Sequence, residues 1–269
     1  MLEQMRNREM TIGEMFSLSF QLFAKNLIHI LWITTFLIMP FELLRSIIAP
    51  NVYYNLNILE QDLAISLAKA LPTLKSISIY LLAVTLIDIF FTPIGIVSVA
   101  KLAQNDMIGK EATLKQAVLQ TIEKAPAIIL GATLYHVSLL LWSMVFIFPA
   151  IYFAVLWIFY LYSIGLSDKK GMEALPYSRS LVAGKWWRTF GRAALLIIAV
   201  SLAQYGIEAI FLTEDESLIL SIISLFFTSV SQCYTYIFVA IWYTNRDCMK
   251  NPEQYEKYKN QEVLPENLV

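Results

Sequence analysis

The side chains in this sequence that could do chemistry are few, and they stand far apart. Asp88, His136, Gln204 and Gln232 each interrupt a different apolar run. An ionisable group held in hydrocarbon costs at least about 2.5–3.5 kcal/mol on insertion scales, so such a residue marks an ion path, a proton relay or a ligand site unless a neighbour satisfies it. Four polar side chains from four runs at one depth make a candidate intramembrane polar site. The same residues also suit plain contacts between helices, which contribute about 0.6 kcal/mol on average. Within the set, Asp88 and His136 are the expected pair: each lies about half-way along its run, and an imidazole can hydrogen-bond a carboxyl group in either charge state.

A second group is basic and aromatic. Lys185, Trp186, Trp187 and Arg188 are consecutive and stand where an apolar run begins. Tryptophan and cationic side chains favour the headgroup level of a bilayer, so these four are candidate lipid-headgroup contacts. Glu42 and Arg45 are three apart, can pair on one helical face, and are expected to reach the outer interface. Catalytic machinery has little to be built from. There are two histidines, and no HExxH, GxSxG, P-loop or paired carboxylates. No catalytic residue, metal site or cofactor is expected, and the chain does not read as an enzyme. Cys233 and Cys248 lack a CxxC or metal spacing and are expected to be free thiols.

The elements that position these residues follow from charge-free length. Ala125 to Ser167 is 43 residues without Asp, Glu, Lys or Arg. A bilayer core of about 30 Å needs only about 20 apolar residues as a helix, so this run is long enough to cross twice. Phe146-Ile147-Phe148-Pro149 marks the reversal, because proline cannot continue a helix without losing a hydrogen bond. The same reading along the chain gives six spans, at 26–44, 77–99, 126–146, 150–167, 189–212 and 218–244. Thr92, Pro93 and Gly95 are expected to kink the second. Composition agrees, with 58% hydrophobic and 15% charged residues and a mean hydropathy of +0.60. A net charge of -1 gives no basic face for nucleic acid. Met1 to Met10 is polar and unlike a cleavable signal peptide.

Basic residues are retained on the cytoplasmic side of a membrane. Seventeen of the 20 lysines and arginines fall before span one, between spans two and three, between four and five (with Arg192 in the first turn of span five), and after six; only Arg45, Lys69 and Lys75 fall between one and two. Both termini are therefore expected to be cytoplasmic. The chain also repeats itself. A shift of 159 places Glu14 on Glu173, Ser19 on Ser178, Leu22 on Leu181 and Ala24 on Ala183, and a shift of 100 sets Leu18 on Val118 and Leu22 on Ile122. Each copy carries apolar residues three or four apart, which makes one apolar face on a helix. Residues 11–24, 113–124 and 172–185 are thus expected to be amphipathic helices in the cytoplasmic headgroup region, each introducing a hairpin. The expected fold is all-α: one integral membrane domain, 1–245, of three hairpins, and a polar cytoplasmic tail, 246–269.

The segment Gly171-Met-Glu-Ala-Leu-Pro-Tyr-Ser-Arg-Ser-Leu-Val-Ala-Gly-Lys-Trp-Trp-Arg-Thr-Phe190, the opening Gly13-Glu14-Met-Phe-Ser-Leu-Ser-Phe-Gln-Leu-Phe-Ala-Lys-Asn26 and the turn proline Pro149 resemble motifs of a group of uncharacterised bacterial six-helix membrane proteins, themselves similar to the membrane domain of glycerophosphoryl diester phosphodiesterases. Ala150 stands where many of that group have glycine. The resemblance covers most of residues 11 to 245. It implies the six-helix fold and a bacterial cytoplasmic membrane, and supplies no catalytic residues; the stretch after span six is too short for the soluble catalytic domain some of that group carry. Two functions fit. One is a non-enzymatic component, envelope- or lipid-related or accessory to another membrane protein, with membrane lipids, a second membrane protein or further copies of itself as partners. The other is a small secondary transporter or channel using the polar site around Asp88.

Overall fold

Every regular element is a helix in the computed structural model, which describes residues 2–110, 113–211, 218–251, 253 and 256. In chain order these are α1 (Leu2–Asn7), α2 (Ile12–Lys25), α3 (Leu27–Ile33), a π-helical turn (Thr34–Ile38), α4 (Met39–Ile65), α5 (Leu67–Phe90), α6 (Thr92–Met107), α7 (Leu114–Glu123), α8 (Ala125–Val145), α9 (Ile147–Leu156), α10 (Tyr160–Ser167), α11 (Gly171–Val182), α12 (Trp186–Phe211) and α13 (Leu218–Lys250). Six helical stretches are long and apolar enough to cross a membrane: Leu27–Ile48, Leu67–Met107, Ala125–Val145, Ile147–Ser167, Trp186–Phe211 and Leu218–Lys250. By length and composition the chain is a multi-pass membrane protein. The acidic segment Thr213–Glu216 and most of the expected tail lie outside the described residues.

The helix boundaries have local causes. Thr11 caps α2 in a reciprocal box: its hydroxyl accepts from Glu14 N at 3.3 Å, and Glu14 Oε2 accepts from Thr11 N at 2.8 Å. Thr113 caps α7 through Gln116 N. Pro40 has no N–H to give Phe36 and its ring crowds that carbonyl; the π-helical turn that precedes it absorbs the misfit. Pro93 likewise leaves Ile89 O without its donor, and the helix breaks at Phe91, where a kink was expected. The reversal at Phe146 also falls where Pro149 placed it.

Two stretches depart from expectation. The first membrane-spanning stretch ends at Ile48, close to the expected bound, but its helix does not: α4 continues to Ile65 and reverses at Ser66 straight into α5. Leu67–Met107 spans 41 residues; at about 1.5 Å per residue that is roughly 60 Å, twice the hydrocarbon core. The fourth span is broken at Trp157–Phe159 with no proline or glycine to cause it. Ser178 of α11 fills the gap: its hydroxyl accepts from Phe159 N at 3.0 Å and donates to Leu156 O at 2.9 Å.

The core gathers at the end where α1 packs on the last turns of α13, the basic end. α13 packs against α1, α2, α4, α6 and α12, and its last turns bury Ile237 through Cys248 completely, polar residues included. Trp242, Tyr243, Phe159 and Phe238 are the largest side chains sealed there. The expected amphipathic segments are helices, α2, α7 and α11, but the apolar stripes of two of them are already engaged by protein. Met15, Leu18 and Leu22 are buried on α2, which packs against α13, and Ala174 and Leu181 on α11, which packs against α8 and α10. On α7 Ala117 is buried while Ile122 remains exposed.

Candidate functional site

The four mid-run polar residues are not joined into one group. Gln204 Nε2 donates to Gln232 Oε1 at 2.9 Å, joining α12 to α13 as an interhelical contact. His136 Nδ1 lies 2.8 Å from Ala132 O of its own helix, with its ring edge against Tyr135. Asp88 pairs with Arg45 rather than with the expected His136, and accepts from Thr92 Oγ1 at 3.4 Å. The reason is the reversal at Ser66. Arg45 stands 21 residues before it and Asp88 22 after, so antiparallel packing of α4 on α5 sets them side by side. Arg45 also reaches Glu42 Oε1 at 3.4 Å. The expected outward pairing of Glu42 with Arg45 is thus one half of a three-membered group, two carboxylates on one guanidinium.

Backbone breaks flank that group. The π-helical turn lies one turn before Glu42, and the Phe91 break lies one turn after Asp88. The two meet where Gly95 faces Ile38: a Cβ on Gly95 would stand 2.9 Å from Ile38 Cγ1, so only glycine allows the approach.

A larger charged cluster forms at the basic end. Glu9 Oε1 accepts from Arg192 at 2.6 Å and Arg246 at 3.2 Å, while Oε2 accepts from Arg188 at 2.8 Å and lies 3.4 Å from Lys185 Nζ. Burial alone would raise the Glu9 carboxyl; the cations around it, Arg192 and Arg246 foremost, override this and hold it down at about 2. The inner two arginines are fixed further, Arg192 by Met10 O and Arg246 by Leu181 O, and both lie over the buried Trp242 ring. Of the candidate headgroup contacts, Trp186 is turned into the protein. Its Nε1 donates to Tyr152 O at 3.1 Å and its ring stacks on Tyr152 and Phe190. Trp187 remains open, at 78% exposure.

Two neighbouring arrangements complete this end. Asn245 holds the N-terminal segment: Oδ1 accepts from Met10 N at 3.0 Å, and Nδ2 donates to Met5 O at 2.8 Å and Arg8 O at 3.0 Å. Buried Asp247 accepts from Ser167 Oγ at 2.6 Å, from Asn251 Nδ2 at 2.9 Å and from the Tyr177 hydroxyl. Burial, and then the adjacent carboxylate, push the Tyr177 phenol up, so it stays a donor. None of Glu9, Asn245 or Asp247 stood out in the sequence. The available signal was Asn245-Arg246-Asp247, three polar residues in a row directly after a long apolar run. Cys233 and Cys248 are both buried free thiols, and among the described residues no group of three His, Cys, Asp or Glu could hold a metal ion.

No protein-family model, curated protein or solved structure matches the chain.

Proposed function

We propose that the chain is a non-enzymatic multi-pass protein of the bacterial cytoplasmic membrane, lipid-related or accessory to another membrane protein, folded as three hairpins with both termini in the cytoplasm. The observation that carries this reading is the flank of the α4–α5 pair. Leu44 and Ile47 of α4 and Ile79, Leu82 and Leu86 of α5 stand exposed, apolar surface that only lipid or another apolar helix covers. The charged and hydrogen-bonding side chains at the basic end, by contrast, mostly tie one helix to another, as structural glue does. Native mass spectrometry of gently extracted protein tests the proposal. Retained lipid or a stoichiometric partner subunit is expected; a chain that emerges bare and alone counts against it.

A second reading, a small transporter or channel, has one observation in its favour. Glu42, Arg45 and Asp88 lie within apolar helices, between two backbone discontinuities, and discontinuous helices are how many transporters expose polar backbone at depth. On that reading Asp88→Asn abolishes flux in proteoliposomes while leaving the yield of folded protein intact. Flux unchanged by the substitution rejects it.

A further inference from the structure

The first turn of α12 breaks a general rule. A helix N-terminus carries a partial positive charge and favours acidic neighbours. Here the 26-residue α12 begins with no acidic residue in its first turn. Lys185 precedes it, Arg188 lies within it, Arg192 follows one turn later, and Arg246 of α13 closes on the same point. Against four cations and the helix dipole the cluster sets a single carboxylate, Glu9. Such a local conflict is expected at a functional site.

The cluster is also layered. Arg246, its side chain 3% exposed, and Arg192, 14%, form the floor, and Arg246 Nε is a buried donor with no hydrogen-bond partner. Lys185 and Arg188 form the rim, with side chains 42% and 61% exposed. Each rim cation contacts Glu9 Oε2, yet an ammonium has three donors and a guanidinium five. Each therefore has donors beyond the one that Glu9 engages, and Trp187, next to Arg188 in the chain, is exposed. Glu9 shows what chemistry the place accepts, since one carboxylate satisfies all four cations at once and leaves three positive charges over.

We propose that Lys185 and Arg188, with the first-turn amides of α12, bind the phosphate of an anionic phospholipid headgroup, with Glu9 as a tethered anion lining the inner side of the same site. Phosphate offers several oxygens to a guanidinium fork and an ammonium together. A headgroup is favoured over free phosphate because Trp187 stands beside the rim at the start of an apolar helix, where an indole lies along the glycerol region. The inference rests on the lipid branch of the function proposed above and names the lipid class and the residues.

The test offers the purified full-length chain equal amounts of phosphatidylglycerol and phosphatidylcholine in detergent and reads retained lipid by native mass spectrometry. About tenfold preference for phosphatidylglycerol is expected, the equivalent of about 1.4 kcal/mol. Lys185→Gln with Arg188→Gln should bring the two lipids to parity, with the melting temperature near that of the parent because both side chains lie on the rim. Arg188→Lys should keep part of the preference. A double variant that retains full preference overturns the proposal, as does phosphatidylglycerol lost from the parent on adding inorganic phosphate alone, which makes free phosphate the ligand. Lipid retained without headgroup preference defeats this inference and leaves the broader lipid reading standing; no retained lipid of either kind defeats both.

Discussion

Arg45 and Glu9 have inverse roles: one cation holding two carboxylates, and one carboxylate holding four cations. Removing the shared member of such a group strands charge in a poorly solvated place, which costs about 3–5 kcal/mol, whereas replacing the whole group by apolar residues is often neutral. Arg45→Met should therefore sharply lower the melting temperature of the detergent-solubilised protein, and adding Glu42→Gln with Asp88→Leu should restore most of the loss. Additive losses in the triple variant would show that the three do not act as a unit. Glu9 gives a pH dependence with a definite sign. Its carboxyl is held at about 2, below the ordinary value of 4.5, so the folded state binds this proton less readily than the unfolded one. The stabilisation is complete above the ordinary value and is lost as pH falls through about 2. Melting temperature followed from neutral to acid pH should fall less steeply in Glu9→Gln than in the parent across that window; superimposable slopes would contradict the assignment.

Among the elements, the fourth span is the informative one, because its break is caused by a different helix. Ser178→Ala leaves Phe159 N–H and Leu156 C=O buried without their bridge, at a cost of about 1–3 kcal/mol. Ser180→Ala, which removes only a bond to Tyr177 O within the same turn, should stay within about 0.5 kcal/mol. Equal effects from the two in thermal melts would show that the bridge holds nothing. What was legible in the sequence divides along this line. Helices whose cause is local were readable: the 43-residue charge-free run, the turn at Pro149 and the kink at Pro93 all depend on residues within a few places of the event. The break at Trp157–Phe159 was not readable, since its cause lies about twenty residues on. Asp88 was readable as an anomaly, but its partner was not, because pairing depends on where α4 ends and on helix rotation, which hydrophobic length does not fix. The three segments expected to be amphipathic are helical, yet periodicity alone does not say whether an apolar stripe meets lipid or protein, and on α7 Ile122 is exposed while Ala117 is buried.

At the scale of the molecule, the arrangement is lopsided. Buried polar chemistry and the largest core side chains gather at the basic end, while the apolar helices beyond it are openly exposed along much of their length. On the orientation proposed above, the basic end faces the cytoplasm. A cysteine at Asn55, near the reversal at Ser66, should react with an impermeant thiol reagent in intact cells, and one at Lys250, near the end of α13, only after permeabilisation. The opposite pattern would reverse the orientation and move the proposed lipid site to the outer leaflet.

The grip of Asn245 on Met5, Arg8 and Met10 also has a consequence in time. A ribosome adds about 5–20 residues per second, so Met10 emerges some tens of seconds, at the slower rates, before the residue that will hold it. Through that interval Glu9 lacks Arg192 and then Arg246. The contact that joins α1 to α13 therefore closes only after α13 has been made.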